Sequence, residues 1–597
     1  MEIVMKERTC PRCQTKSSAK ICPSCGWDYT WDYTQSFLMD ELTSVECRDF
    51  YRMSHGNPSP NTSKEPVAPP PQNPSPKKFP RPLLGLLAAA LLAVGIFIGT
   101  QRPWETTPDT EQITVEATTE SASLLSSESM APTGISESSV SAEAGSADAA
   151  AVTINGQSYD TTVTELNLAE QGLTDISMLA EFHELISLDL SGNEISDLSA
   201  LEGLTKLQIL RLDHNRIEDL SPLSGLTNLS FLDIGENSVE DISALSALSN
   251  LQVLDITDNR LTDLSAVSGL SELTYLSVAG NQVQDLSHLA DLHNLTTLYA
   301  QENLIQDISP LNGLAALTVL ALNENQISDL APIADLTLLE ELWLFSNQIS
   351  DLSPLSGLTN LHELHLYTNQ IRDLSPLGGL TALTHLSLSE NEISDLSPLA
   401  GLTELQDLRL HTNQISDISP LSGLVNLTYL SLVGNQVADI SAMANFPLLE
   451  ELWLNNNQIS DLSPLSGLTN LTFLALGENQ ISDITPLSNL TNLQELWLYT
   501  NQISDISSLS SMQNLSILEM NNNQVSDLSP LSGLTNLTSI AIRNNPVSDL
   551  TPLGNLVNLQ ALYLTDISTS DYSALNSLPE LETLETGTGV GSQELLQ

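Results

Sequence analysis

Four thiols offer the first chemistry in this sequence: Cys10, Cys13, Cys22 and Cys25 stand in a C-x2-C-x8-C-x2-C arrangement within TCPRCQTKSSAKICPSCGWDY. Each pair sits on a tight turn able to aim two thiolates at one ion, and two such turns complete a tetrahedral, closed site for zinc. Sulfur fills every position, so one structural zinc ion is expected and none of its coordination is left open for catalysis. A redox role would need a single CxxC beside a βαβ pattern, which is absent. Cys47 reads as an inert rather than a reactive thiol. All five cysteines fall before residue 48, so no disulfide framework holds the rest of the chain.

Any other chemistry is positioned by a repeat. From Asn193 to Asn545 an asparagine recurs every 22 residues at 17 consecutive positions, without insertion or deletion. LEELWLFSNQISDLSPLSGL, Leu339 to Leu358, is one unit, and LHELHLYTNQIRDLSPLGGL, Leu361 to Leu380, is the next. A fixed period carrying L-x-x-L-x-L-x-x-N marks leucine-rich repeats, which stack because no unit buries its apolar face alone. The predicted fold is an α/β-type leucine-rich repeat solenoid, with a curved parallel sheet on the concave face and 3₁₀ or other short turns on the convex face. In the unit at Asn347, Leu339, Leu342, Leu344, Ile349, Leu352, Leu355 and Leu358 should fill the core, and Glu341 to Phe345 should form the strand. With strands about 4.8 Å apart, about 18 or 19 turns give a body of roughly 90 Å.

Asn347 should bend the chain inward, its amide satisfying backbone groups that the turn buries. Asp351 belongs to a second file, repeated from Asp197 to Asp549 and also at Asp175. It reads as a cap on the convex 3₁₀ turn, where Pro354 also fits, rather than as a calcium ligand, because a single file does not converge on one ion. Sequons such as Asn470-Leu471-Thr472 each contain a buried leucine and read as structural rather than glycosylated.

Counting back from each asparagine, the residues six, four and two before it face outward on the inner curve. Four before it, most repeats carry small or polar groups such as Ser277, Ala321, Ser387, Ser431 and Ala475, but three carry Trp343, Trp453 and Trp497, half of the six tryptophans. Phe345, His365, Tyr367, His385, Arg409, His411, Tyr429, Phe473 and Tyr499 lie close by. Exposed aromatics with arginine are enriched at binding hot spots, so these residues form the predicted contact surface for a protein or glycan. The competing reading is that aromatic cross-strand pairs simply stabilise the sheet. Glu341, Glu363, His385, Asp407 and Glu451 share one column that could hold a metal or perform acid and base chemistry. An open surface, however, neither excludes water nor shifts pKa values. No Ser/His/Asp set, phosphate-cradling glycine loop or other catalytic signature appears, and no enzymatic activity is expected.

The charge is lopsided across the 597 residues: of 19 Lys and Arg, 12 lie at or before Trp104 with nine Asp and Glu, leaving seven basic against 65 acidic residues beyond it. A net charge of about +3 is thus followed by about -58, which argues against nucleic-acid binding by the repeats. Residues 1–56 hold the predicted cytoplasmic zinc ribbon and an amphipathic run through Phe37, Leu38, Leu42, Val45 and Phe50, which either closes a small core or docks a partner. Residues 57–82 form a Pro-rich linker. Residues 83–100, LLGLLAAALLAVGIFIGT, carry no charge and as a helix reach roughly 27 Å, enough to span a bilayer. Lys77, Lys78 and Arg81 precede this run and Arg102 alone follows, placing the N-terminus inside and the repeats outside in a single-pass cell-membrane protein. A cleaved signal peptide fits less well, since the leader is long and no A-x-A site follows. Residues 101–151 are a Ser/Thr/Glu-rich stalk unable to bury a core. Residues 152–597 form the solenoid, entering the repeat phase with Gln171 in the asparagine position, fading after Tyr563 with Ile567 in the next, and ending in degenerate caps.

Residues 8–30 resemble the short zinc ribbons at the N-termini of many bacterial membrane proteins. The pattern LTNLxxLxLxxNQISDLSPLSGL, over about residues 160–570, closely resembles the 22-residue repeats of the internalins and related surface proteins of Gram-positive bacteria. Internalins bind host receptors on the concave strand face, so the resemblance implies that face here. The chain departs from their plan: it shows no evident helical N-cap, no LPxTG-like signal and no immunoglobulin-like domain after the repeats. The sequence thus predicts a membrane-anchored bacterial surface protein that binds a protein or glycan through its concave face. The alternatives are a receptor signalling through the zinc ribbon, and an intracellular protein-interaction scaffold if residues 83–100 do not span.

Overall fold

The computed structural model describes residues 151–586 and, before them, only the short strands β1 (Arg8–Thr9) and β2 (Lys16–Ser17), which pair antiparallel. The four clustered cysteines, the Pro-rich linker, the apolar run at 83–100 and nearly all of the stalk lie outside the described residues. Among those described, no helix is long and apolar enough to cross a membrane.

One turn of the solenoid shows why the sequence folds as it does. The strand Glu341–Trp343 places Leu342 in the core and its two neighbours on the opposite face. The chain then returns through a 3₁₀ turn, Ser353–Gly357, with Pro354 near its start, where a fixed φ suits the turn. All seven apolar residues expected inside, from Leu339 to Leu358, are at most 1% exposed. The strand is shorter than the predicted Glu341 to Phe345, although the ladder of hydrogen bonds continues past it: the Leu344 and Ser346 N–H groups donate to the His365 and Tyr367 carbonyls. Twenty such strands, β5 (Glu165–Asn167) to β24 (Thr583–Glu585), pair in parallel with their neighbours in the chain, and the register is a full repeat, Leu342 against Leu364.

The asparagine of each turn holds its neighbour. Asn413 Oδ1 accepts the Ile393 N–H at 2.9 Å, while Nδ2 donates to the carbonyls of Leu388 at 3.0 Å, Leu410 at 3.2 Å and His411 at 3.3 Å. Two of these four groups belong to the preceding turn, so one side chain satisfies buried backbone in two repeats. The residue before each ladder asparagine takes the left-handed conformation, as at Ser346 (φ 52°), Thr368 (φ 54°) and Glu390 (φ 51°), with glycine there at Gly192, Gly280 and Gly434. A non-glycine residue in that region costs about 1 kcal/mol or more, which the asparagine's bonds must offset.

Two further files of side chains recur, the first bonding within a turn and the second between turns. Asp351 Oδ1 accepts the Ser353 N–H at 2.8 Å, one residue before the 3₁₀ cap position, in the manner of an Asx turn. This hydrogen bond holds the exposed carboxyl below its ordinary value. The asparagine of the TNL segment, outside the main ladder, donates Nδ2 to the previous repeat: Asn470 to the Pro447 carbonyl and Asn360 to the Thr337 carbonyl, each at 2.9 Å.

The first turn does not simply enter the repeat phase. Strands β3 (Ala151–Ile154) and β4 (Gln157–Asp160) form an antiparallel hairpin whose turn residues, Asn155 (φ 48°) and Gly156 (φ 83°), have the mirror-image geometry that Asn-Gly favours. Ile154 is 1% exposed, Val152 and Tyr159 pack against the core, and Asn155 Nδ2 donates to the Gln171 carbonyl at 3.2 Å. At the far end Ile567, in the asparagine position, packs against the core instead of bonding across it, and Tyr572, Leu575 and Leu578 are buried.

Replacing Asn413 with Ala strands a buried N–H and buried carbonyls, and stability should fall by about 3 kcal/mol. Asn413→Asp keeps the acceptor but loses the donors and should cost nearly as much. Thermal melts, with hydrogen exchange at Ile393, check this. Exchange loss confined to the adjoining turns is expected of a nearest-neighbour array.

Candidate ligand-binding face

On each strand the residues flanking the central leucine stand on the face away from the core, in columns built from successive turns. The structure brings the predicted site residues together on this face but divides them into two groups with different exposure.

In the first group, Tyr299 and Trp343 stack at 5.9 Å with planes 20° apart, Tyr275 meets Tyr299 at 5.7 Å, and Trp343 meets His365 at 6.2 Å. Ala321 occupies the strand between Tyr299 and Trp343, and its small side chain lets rings two repeats apart meet. Alongside, Phe345 and Tyr367 stack at 4.2 Å. Trp343, Phe345, His365, His385 and Arg409 are partly exposed, whereas Tyr367 and His411 are buried.

The second group corrects an expectation. Trp453, Trp497 and Phe473 are fully buried, Tyr499 is 3% exposed and Tyr429 9%, and together with Val433 and Ala475 they form an apolar cluster separate from the leucine core. Trp453 lies 4.3 Å from Phe473 and meets Trp497 edge-on at 5.5 Å, again across an alanine, Ala475. The ring of Tyr499 covers Gly477 so closely that any Cβ there would strike it. Counting along a strand gives the direction of a side chain; it does not say what lies beside it, and here large residues on successive strands enclose one another. Two participants were missed, Tyr275 and Tyr299, although the same count of four or six before the asparagine reaches both.

The charged column runs beside the exposed rings. Glu341 is pushed up to about 7, first by burial and then by the like charges of Glu363 and Glu340. Glu363 is held below its ordinary value chiefly by His365, whose Nε2 lies 3.9 Å from Oε2, with His385 Nδ1 4.0 Å from the other oxygen. Asp407 engages Arg409 through two bonds of 3.1 Å, and that guanidinium lies 4.9 Å over the Tyr429 ring. Nearer the N-terminal end, Asp233 is 2% exposed and accepts the Gly235 N–H at 3.0 Å. Burial, then Asp255 and Asp213, raise it well above its ordinary value. Among the described residues, no group of three or more His, Cys, Asp or Glu is arranged to hold a metal ion.

Because Glu341 binds its proton more tightly folded than unfolded, its contribution to stability is full below the ordinary value of 4.5 and is lost as pH rises through about 7. Glu341→Gln should therefore raise the melting temperature at about pH 8 and leave it unchanged at about pH 4. A melt series across pH checks the sign.

Comparison with known families and structures agrees with this geometry. A family model described as Leucine Rich repeats (2 copies) matches residues 205–247, 249–291, 293–335, 337–379, 381–423, 425–467, 469–511 and 513–555, and one described as Leucine rich repeat matches 161–217. Among solved structures, the internalin InlF of Listeria monocytogenes is 39% identical over 53% of this chain and 87% of its own, with a TM-score of 0.45. A leucine-rich repeat protein of Leptospira interrogans is 28% identical over 61% of this chain and 92% of its own, with a TM-score of 0.52. The ectodomain of the Arabidopsis receptor kinase HAESA, solved in complex with a peptide hormone ligand, is 24% identical over 69% of this chain and 77% of its own, with a TM-score of 0.55. No curated protein matches the chain. A family match across more than half of its length, on the repeat geometry described above, establishes that the chain belongs to the leucine-rich repeat family.

Proposed function

We propose that the repeat domain is the ligand-binding part of a membrane-anchored bacterial surface protein, and that it takes a protein or glycan on the sheet face, the concave side of the solenoid. The observation that carries this reading is the partly exposed aromatic stack of Tyr299, Trp343 and His365, set beside carboxylates on the same strands. Aromatic rings of this kind supply contact area at small entropic cost, and exposed apolar patches mark interaction surfaces. Phe345, His385 and Arg409 extend the contact area. Buried Trp453, Phe473, Trp497 and Tyr499, with Tyr429, Tyr367 and His411, brace the same face from within.

The rest of the reading concerns the N-terminal part. Residues 83–100 would cross the membrane once and carry the repeats outside, and Cys10, Cys13, Cys22 and Cys25 would hold one structural zinc on the cytoplasmic side. A closed four-sulfur site supplies folding energy to a small module rather than chemistry.

A screen of surface proteins and glycans against the full-length protein tests the contact face. Trp343→Ala should weaken the captured ligand about tenfold or more while lowering the melt less than Trp453→Ala, which should cost about 3 kcal/mol of stability. Binding untouched by Trp343→Ala would refute the assignment. The anchor and the metal are checked in one preparation: the protein should partition with membranes and carry one zinc per chain, lost in Cys13→Ser. Recovery from the soluble fraction overturns the anchor, and a metal-free preparation overturns the zinc site.

A further inference from the structure

The sheet face carries more information than its aromatic content. Glu341 and Glu363 are neighbours across one strand pair, and each stands two residues before a ring on its own strand, Trp343 and His365. Tyr299 stacks on Trp343 from the other side. Two carboxylates and a row of partly exposed aromatic rings therefore line one stretch of the surface. Among the described residues no lysine or arginine forms an ion pair with either carboxylate. The guanidinium on the strand Asp407–Arg409, two strands beyond Glu363, is committed to Asp407 and to the Tyr429 ring. The chain beyond Trp104 bears about -58 in net charge, so the surroundings offer no general source of cations.

Resting on the reading that this face is the binding surface, we propose that its occupant is a basic segment of a partner protein, with an arginine or lysine seated between the Glu341 and Glu363 carboxylates and the rings of Tyr299, Trp343 and His365. A guanidinium or ammonium gains from the negative face of an aromatic ring and from a carboxylate at the same time, and the strand spacing of about 4.8 Å lets one cation reach both carboxylates. A neutral sugar would use the rings but gain nothing from the carboxylates.

Proton behaviour supports this arrangement. Glu341 faces Tyr299 on one side, Glu363 on the other and Glu340 beside it, with His365 and His385 beyond Glu363, and its carboxyl is pushed up to about 7. A cation set against it would restore the ionised form, so binding should release a proton and tighten as pH rises from about 6 to about 8.

Hexaarginine is a suitable probe, titrated into the full-length protein in detergent micelles at about 0.15 M salt, where long-range attraction is largely screened. Saturable binding is expected, weakened about tenfold by Glu341→Gln and again by Glu363→Gln, and unaffected by Glu404→Gln on an exposed turn away from the sheet. Tighter binding at the higher pH is expected of the wild type and not of Glu341→Gln. Equal weakening by Glu404→Gln, or none by Glu341→Gln and Glu363→Gln, would mean attraction by net charge alone and would overturn the proposal. If the neutral probe hexa-N-acetylglucosamine binds and is lost with Trp343→Ala while hexaarginine does not bind, the cationic occupant is wrong but the binding face stands. If Trp343→Ala leaves both probes unaffected, the face itself is wrong.

Discussion

The amide of one asparagine per turn is the contact on which the remainder of this solenoid depends. Each turn must reverse direction after a three-residue strand, and it does so through a left-handed residue that only glycine adopts without penalty. Seventeen ladder asparagines follow such a residue, and glycine precedes three of them. The other turns put Glu, Thr, Asn, Asp, Ser or His there, including the β-branched Thr368, Thr412 and Thr500. The conformation persists because the asparagine at the next position pairs with backbone groups on both its own turn and the one before. The strain and its remedy are adjacent in sequence and recur together, so the curvature of the chain is specified locally in every repeat.

With the turn secured in this way, the outward-facing strand positions are free to vary, and the two columns beside the leucine carry what distinguishes one stretch of the face from another. Large rings alternate with alanine, as in Tyr299, Ala321, Trp343 and again in Trp453, Ala475, Trp497. That alternation lets rings two strands apart touch, which a strand spacing of about 4.8 Å would otherwise prevent. The same backbone thus supports a partly exposed, charged aromatic stretch near Glu341 and a closed apolar cluster near Trp453. Burial of titratable groups follows from the same crowding: Glu341 and Asp233 are pushed toward their neutral forms by enclosure and by like charge from the adjacent strand.

Much of the fold was legible because the period admits no ambiguity. Once Asn347 is located, Leu339, Leu342 and Leu344 are assigned to the core by counting, and all are buried. The Asp351 file was also legible, since Asp before a short turn has few other uses, although its bond places it one residue ahead of the cap. Other features escaped for identifiable reasons. Asn-Gly at 155–156 is a strong hairpin signal, but it stands where the repeat phase begins and was absorbed into it. The TNL asparagines looked like sequons, and their bonds to the previous repeat, such as Asn470 to Pro447, appear only when two turns are stacked. For the residues of the candidate site, the count gave the side of the sheet on which they stand, away from the leucine core. It could not separate Trp343 from Trp453, because exposure depends on what stands on adjacent strands, and that is a property of pairs and triples of residues rather than of one position.

The N-terminal hairpin has a mechanical meaning. Successive turns are joined by parallel strand bonds and by the asparagine ladder, and many also by the TNL asparagine, but no covalent cross-link runs along the repeats, because all five cysteines lie before residue 48. A load applied along the chain from its N-terminal side therefore meets the hairpin first, at Ile154 and at the Asn155 to Gln171 bond, and reaches the turns behind it in series. The ten residues Ala151 to Asp160 thus stand as the first barrier between a pull on that end and the repeats behind it.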